Sequence, residues 1–245
     1  MARSVNKKWL LVLIMIPLAC EKPTENIKII LDTDVIKYTA MVSVTDAQTG
    51  NPIDGATIAV SGQGAPNIYE HSGKKEIKLS SGMVTIGLHP DVTPEIDQPV
   101  RADITIEAPG YRKEIRQLTF KADEKRQVLT IDLFKAGEEN SSPVITPPPP
   151  VYPNMISLNF KGRCPSRRDV EVRPSVYVSF RKSGSSAAFR YLGYMDKGQI
   201  STNLLELNQA YEFQIVYGGE VYRVSQLIKQ LTYDLSLDMP AACNI

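Results

Sequence analysis

Histidine is the side chain that most often exchanges protons near neutral pH, and this chain has two histidines, His71 and His89. Both lie in loop-like stretches with no serine or cysteine motif around them. The sequence contains no Gly-x-Ser-x-Gly nucleophile motif, no glycine-rich phosphate loop and no zinc-ligand spacing. We therefore expect both histidines to be solvated, and we predict a protein that is not an enzyme and uses no cofactor.

Carboxylates could instead hold calcium. Asp32 and Asp34 could join Asp46 or Asp54 at one edge of a folded domain. The chain lacks the Asp-x-Asp-x-Asp-Gly loop that supplies calcium ligands, so we expect surface carboxylates and predict no metal site.

The first nineteen residues have the features of an export signal. A basic start with Arg3, Lys7 and Lys8 precedes an apolar run over residues 9–18. About ten apolar residues are too few to cross a hydrocarbon layer of about 30 Å as a helix. Residues 1–19 are therefore predicted to be a signal peptide that is removed.

Cys20, directly after this signal, is a candidate for attachment of a lipid. The segment Ile16-Pro17-Leu18-Ala19-Cys20 resembles the lipobox of bacterial lipoproteins, whose cysteine carries a thioether-linked diacylglycerol; here Leu18 lies one place later than the lipobox leucine. The resemblance implies a lipid anchor at Cys20, a tether over residues 20–26, and a lipid-anchored location in the cell envelope, most simply the outer membrane, on its periplasmic or outer side. The alternative is an ordinary secretory signal with a cysteine nearby.

Export also bears on the two remaining cysteines, Cys164 and Cys243. In an oxidising compartment one pairing is open to them, and they flank the C-terminal half of the chain. We predict a Cys164–Cys243 disulfide, and the alternative is two buried free thiols.

Composition and charge indicate two globular domains and argue against nucleic acid as a partner. The chain is 42% hydrophobic and 22% charged over 245 residues, which suits two ordinary globular domains. Removal of residues 1–19 takes three basic residues and no acidic ones, so 25 basic and 27 acidic residues remain. This balance offers no basic surface for nucleic acid.

The first block, over residues 27–134, is predicted to be all-β. Residues 42–45 alternate in hydrophobicity, residues 46–52 form a turn cluster and residues 57–60 resume the alternation, which predicts a β-hairpin. Further short strands follow between Gly, Pro and Asp residues, with no helical period. This spacing predicts an antiparallel β-sandwich.

Two segments of this block carry a family resemblance. Residues 44–60, which contain Thr-Gly-Asn-Pro-Ile-Asp-Gly-Ala, and residues 104–111, which end Ala-Pro-Gly-Tyr, resemble the carboxypeptidase regulatory-like domain. The resemblance covers about residues 40–134 and implies a transthyretin-type sandwich; the chain departs from the family in the longer loop at residues 89–100. The family serves as an accessory and adhesive module without a catalytic site, so the resemblance implies architecture more than activity.

Residues 135–154 are predicted to be a linker, because Pro147–Pro150 favours an extended, stiff polyproline path. The second block, residues 155–245, repeats the first in outline, with residues 231–235 matching residues 129–133. We predict a second antiparallel sandwich, immunoglobulin-like or transthyretin-like, as a divergent duplicate of the first. The alternative is that both blocks show only the alternation that any sandwich requires.

Tyrosines near turns of the second block form the candidate ligand surface, since exposed tyrosines beside charged groups are frequent in contact surfaces. The candidate residues are Tyr191, Tyr194, Tyr217, Tyr222, Arg190 and Arg223. The predicted function is a non-catalytic envelope lipoprotein that serves in binding, adhesion or assembly and has a protein or glycan partner. The alternative is a polysaccharide-binding subunit of an outer-membrane nutrient-uptake system.

Overall fold

The computed structural model describes residues 29–32, 36–137, 143 and 147–243. Within these residues the chain consists of strands, turns and two short 3-10 helices, Ala65–Asn67 and Pro240–Cys243. The predicted all-β class with two sandwich domains is confirmed. In this part of the chain no helix has both the length and the apolar character needed to cross a membrane.

Sixteen strands are present in the described residues. The first, β1, spans Ile29–Asp32. The strands of the first domain are β2 (Thr39–Asp46), β3 (Thr57–Ser61), β4 (Ile68–Glu70), β5 (Met83–Leu88), β6 (Val100–Glu107), β7 (Glu114–Phe120) and β8 (Arg126–Leu133). The strands of the second domain are β9 (Ile156–Cys164), β10 (Arg167–Arg173), β11 (Val176–Lys182), β12 (Arg190–Met195), β13 (Gln199–Thr202), β14 (Ala210–Tyr217), β15 (Glu220–Leu227) and β16 (Thr232–Asp238).

The first domain packs a sheet of order β4-β5-β2-β8 against a sheet of order β3-β6-β7. Alternate residues of each strand point inwards, as on β6, where Ile104 and Ile106 are fully buried and their neighbours are not. These isoleucines belong to one cluster with Val42, Val44 and Phe120. Burial of each such large side chain stabilises the fold by about 1.5–3 kcal/mol.

The second domain packs the sheet β1-β10-β9-β13, with β16 also paired to β9, against a sheet of order β12-β11-β14-β15. Its core contains an edge-to-face ring pair, Phe160 and Phe213, with ring centroids 6.0 Å apart. The predicted disulfide is confirmed: Cys164 at the end of β9 is bonded to Cys243 in the C-terminal 3-10 helix.

Six strands have the same connections in both domains. The first strand of each pairs in parallel with the last (β2 with β8, β9 with β16) and antiparallel with a middle strand (β5 and β13). In the opposite sheets β3 pairs with β6 and β6 with β7, just as β11 pairs with β14 and β14 with β15. The domains differ in two respects: β4 joins the sheet of β5 whereas β12 joins the sheet of β11, and β10, which pairs with β9, has no counterpart in the first domain.

The predicted hairpin at residues 42–60 is wrong, because β2 and β3 lie in opposite sheets. The chain turns at Asp46 to pass from one sheet to the other. The Asp46 carboxylate accepts hydrogen bonds from the backbone N–H groups of Gln48 and Thr49, at 2.9 and 2.8 Å. The chain then covers ten residues before β3, more than a two-residue hairpin turn uses. The alternation marks both strands correctly, but their partners lie elsewhere in the sequence.

The N-terminal strand also departs from the expected order. A first block that begins at residue 27 places β1 with the first domain, whereas β1 pairs in parallel with β10 of the second domain, with Ile29 opposite Val170. Since β10 would otherwise be the edge of its sheet, β1 supplies partners for its outer backbone groups. Residues 29–32 therefore belong to a sheet of the second domain, although they precede the first domain in the sequence.

Candidate functional site

The two domains are in direct contact through one sheet each. The sheet that contains β2 and β5 faces the sheet that contains β11 and β14, and their outer side chains form a buried cluster of Met41, Met83, Tyr177 and Val216. The outward positions of β2 and β5 combine Met41 and Met83 with the buried threonines Thr39 and Thr85, and both strands are buried along nearly their whole length. The proline-rich linker therefore does not hold these domains apart.

Tyr177 fixes this interface with directed hydrogen bonds. It lies on β11, but its hydroxyl donates to the Thr39 carbonyl oxygen at 3.1 Å and accepts from the Gln127 backbone N–H at 3.1 Å, both in the first domain. The Thr39 hydroxyl is 3.2 Å from the same oxygen. Burial raises the pKa of Tyr177 to about 12, so the hydroxyl stays protonated and remains able to donate.

His71 is buried in the same interface. Its ring meets the Tyr217 ring edge to face, with centroids 6.0 Å apart, and it lies beside the Ser175 backbone of the second domain. Burial lowers the pKa of His71, against the opposing influence of the neighbouring Glu70 carboxylate and of Ser175. The imidazole is therefore held in its neutral form, contrary to the expectation of a solvated loop histidine. The second histidine, His89, is more exposed, and its Nδ1 lies 3.6 Å from the Asp91 carboxylate.

The four tyrosines of the predicted surface have different environments. Tyr217 and Tyr222 are buried, and Tyr222 donates to the Glu220 carboxylate at 2.9 Å, so neither ring is open to a ligand in this arrangement. Tyr194 is partly buried under the Arg126 guanidinium, 3.7 Å from the ring centre. Tyr191 remains 41% exposed.

The two arginines of the predicted surface lie apart. Arg190 donates a hydrogen bond to the Pro147 carbonyl oxygen and so ties the linker to β12. Arg223 lies at a cleft between the two domains, where its Nε donates to the Gln214 Oε1 at 2.8 Å. In the described part of the chain no carboxylate lies within ion-pair distance of Arg223.

This cleft is the part of the interface whose shape best suits the binding of a ligand. It has a volume of about 280 Å³ and is lined mainly by polar side chains from both domains. Phe189 lies between two guanidinium groups, with the Arg181 and Arg223 carbons 4.3 and 5.2 Å from its ring centre. Arg181 is neutralised by Glu212 at 2.7 Å, so Arg223 carries the free positive charge of the cleft.

Asp46, considered above as a calcium ligand, has a structural role. Burial of its carboxyl opposes ionisation, but hydrogen bonds from the Tyr111 hydroxyl at 2.7 Å and from the Thr49 and Gln48 backbone outweigh it and lower the pKa of Asp46. Tyr111, at the end of the Ala-Pro-Gly-Tyr motif, thus ties this motif to the end of β2. Among the described residues no three His, Cys, Asp or Glu side chains are grouped to hold a metal ion.

Alternation in a sequence predicts one buried face for each strand, so it does not identify Tyr177, Met41 and Met83 as interface residues. A signal was present in residues 176–180, Val-Tyr-Val-Ser-Phe, where the aromatic Tyr177 occupies an outward position. In an antiparallel sandwich such a strand needs a second covered face. Cys20 lies outside the described residues.

No family model and no curated protein matches this sequence. Among solved structures, the Bacillus anthracis TIE protein is 11% identical with a TM-score of 0.28, covering 83% of this chain and 34% of that one. The SpaE basal pilin from Lactobacillus rhamnosus GG is 9% identical with a TM-score of 0.31, covering 76% of this chain and 82% of that one. This chain thus spans about a third of the length of the Bacillus anthracis protein, and at these TM-scores neither structure carries a functional argument.

Proposed function

We propose that the protein is a non-catalytic, lipid-anchored module of the cell envelope whose two sandwiches act as one docked body in adhesion or assembly. The observation that carries this proposal is the buried interface around Tyr177, which joins the domains through apolar contacts and hydrogen bonds. Such a body presents surfaces of both domains to a partner in a fixed relation, as an accessory module requires. The carboxypeptidase regulatory-like assignment of the first domain belongs to the same proposal and is supported by its Tyr111–Asp46 hydrogen bond.

The anchor in this proposal is Cys20. The basic start, the short apolar run and the small residue before the cysteine support acylation there, and β1 begins nine residues later. Several acyl chains at about 0.8 kcal/mol per buried methylene would hold the protein at a membrane without a spanning helix.

Metabolic labelling with an alkyne analogue of palmitate tests the anchor. The wild-type chain is expected to take up label and to sediment with the membranes, whereas Cys20→Ser is expected to lose both properties. Cys243→Ser is the matched control and should keep its label, since that cysteine is a disulfide partner. Equal labelling of the wild type and Cys20→Ser would overturn the lipoprotein proposal.

A second candidate function is favoured by the interdomain cleft. A polysaccharide-binding subunit of an outer-membrane uptake system needs a polar recess for sugar, and the cleft at Arg223 provides one. Here the docked domains would serve to form the binding site rather than to present an adhesive surface.

A further inference from the structure

We propose that the interdomain cleft binds an acidic sugar, a uronic acid residue of a polysaccharide. This inference rests on the docked arrangement proposed above and names a ligand for it. It does not depend on the lipid anchor.

The positive charge of Arg223 in the cleft favours a ligand with a carboxylate group. Arg223 is exposed at the cleft and, within the described residues, has no carboxylate within ion-pair distance. Its guanidinium is held by the Gln214 side chain and by the face of Phe189, so little side-chain freedom is lost when an anion binds. A fixed guanidinium of this kind suits a planar carboxylate.

Gln214 holds this arginine in place from a buried position. Gln214 is 1% exposed and lines the cleft, and its Oε1 accepts a hydrogen bond from the Arg223 Nε at 2.8 Å. Its Nε2 is covered from solvent, so a ligand in the cleft contacts the Arg223 guanidinium and not this amide nitrogen.

The rest of the lining selects a sugar over a simple anion. Asp54 is exposed and lines the cleft, and its oxygens accept hydrogen bonds from sugar hydroxyl groups. Thr45, Asn51 and Ser81 add neutral polar groups. The cavity has a volume of about 280 Å³. Since one water molecule takes about 30 Å³ in the liquid, the cavity could hold roughly nine water molecules, which is room for one sugar residue.

Calorimetric titration of the mature chain with tri-galacturonate tests the inference, with maltotriose as the neutral sugar and a tri-glutamate peptide as the other acidic chain. The wild type is expected to bind tri-galacturonate more tightly than either of these. Arg223→Gln should weaken this binding at least about tenfold, because a charge-assisted hydrogen bond is lost. Arg116→Gln, which removes an exposed arginine paired with Glu114 on β7, is the matched control and should bind as the wild type does.

Three results would overturn the inference: no binding of tri-galacturonate by the wild type, equal loss in Arg223→Gln and Arg116→Gln, or preference for the peptide. Small-angle X-ray scattering of the same samples separates the two proposals. If the domains are in contact and the sugar does not bind, the sugar site fails and the docked module stands. If the domains are apart, both fail.

Discussion

At the scale of single residues, His71 links the interface to pH. It is buried beside Glu70, Tyr217 and the Ser175 backbone, and burial lowers its pKa. Above about pH 6.5, the ordinary value for histidine, the imidazole is neutral in folded and unfolded chains alike, and its stabilising contribution is fully present. As the pH falls below this value the unfolded chain binds a proton that the folded chain does not, so stability is lost towards and through the lowered pKa.

We therefore predict that the urea midpoint of the wild-type protein falls between pH 7 and pH 5. His71→Phe keeps an aromatic ring against Tyr217 but cannot titrate, so its midpoint should fall less over the same range. His89→Gln removes the more exposed histidine and should follow the wild type. An identical pH profile for the wild type and His71→Phe would show that His71 does not couple the fold to pH.

At the scale of elements, the disulfide holds the last turn of the chain to the second sandwich. Cys164 and Cys243 are 79 positions apart in sequence, with Cα atoms 5.6 Å apart. In the chain-entropy model, closure of a loop of this length contributes about 4 kcal/mol to stability. The double variant Cys164→Ser/Cys243→Ser should lose stability of that order in urea titrations.

Reduced wild-type protein is the control and should match the double variant. A loss below about 1 kcal/mol would mean that the unfolded chain is not constrained by the bond as the entropy model assumes.

The same scale shows what could be predicted from sequence. Alternation located β2, β3, β6 and β8 because side chains of a strand point to opposite faces. The alternating segments begin at residues 42, 104 and 129, whereas β2, β6 and β8 begin at Thr39, Val100 and Arg126. Pairing could not be read in the same way, since partners such as β2 and β8 are brought together by the fold across about ninety residues. The hairpin at residues 42–60 failed for this reason.

In the candidate site, too, the sequence indicated residue types but not their partners. Of the tyrosines selected in the second block, Tyr217 lies against the first domain of the same chain and Tyr222 belongs to the core of the second domain. Side-chain type indicated a contact and could not indicate its partner. Arg223 was selected from sequence for its charge, whereas Gln214 was not, because its burial and its hydrogen bond to Arg223 are properties of the fold.

At the scale of the whole molecule, two domains with the same connections lie against each other as one body. The shared topology of six strands supports the proposal of a divergent duplication. β1 adds a second connection between the domains, since the chain pairs with the second domain at residues 29–32 before entering the first. Adhesion, assembly and the proposed sugar site all require that the docked arrangement persists in solution.

The distance between spin labels on the two domains tests this requirement most directly. Ile115 on β7 and Leu231 before β16 are 56% and 51% exposed, so cysteines at these positions can be labelled in a Cys20→Ser chain with its disulfide intact. A docked body should give one narrow distance distribution by electron double resonance. Tyr177→Arg, which places a charge in the interface, should broaden it. A broad distribution for the unaltered interface, equal to that of Tyr177→Arg, would contradict the docked arrangement.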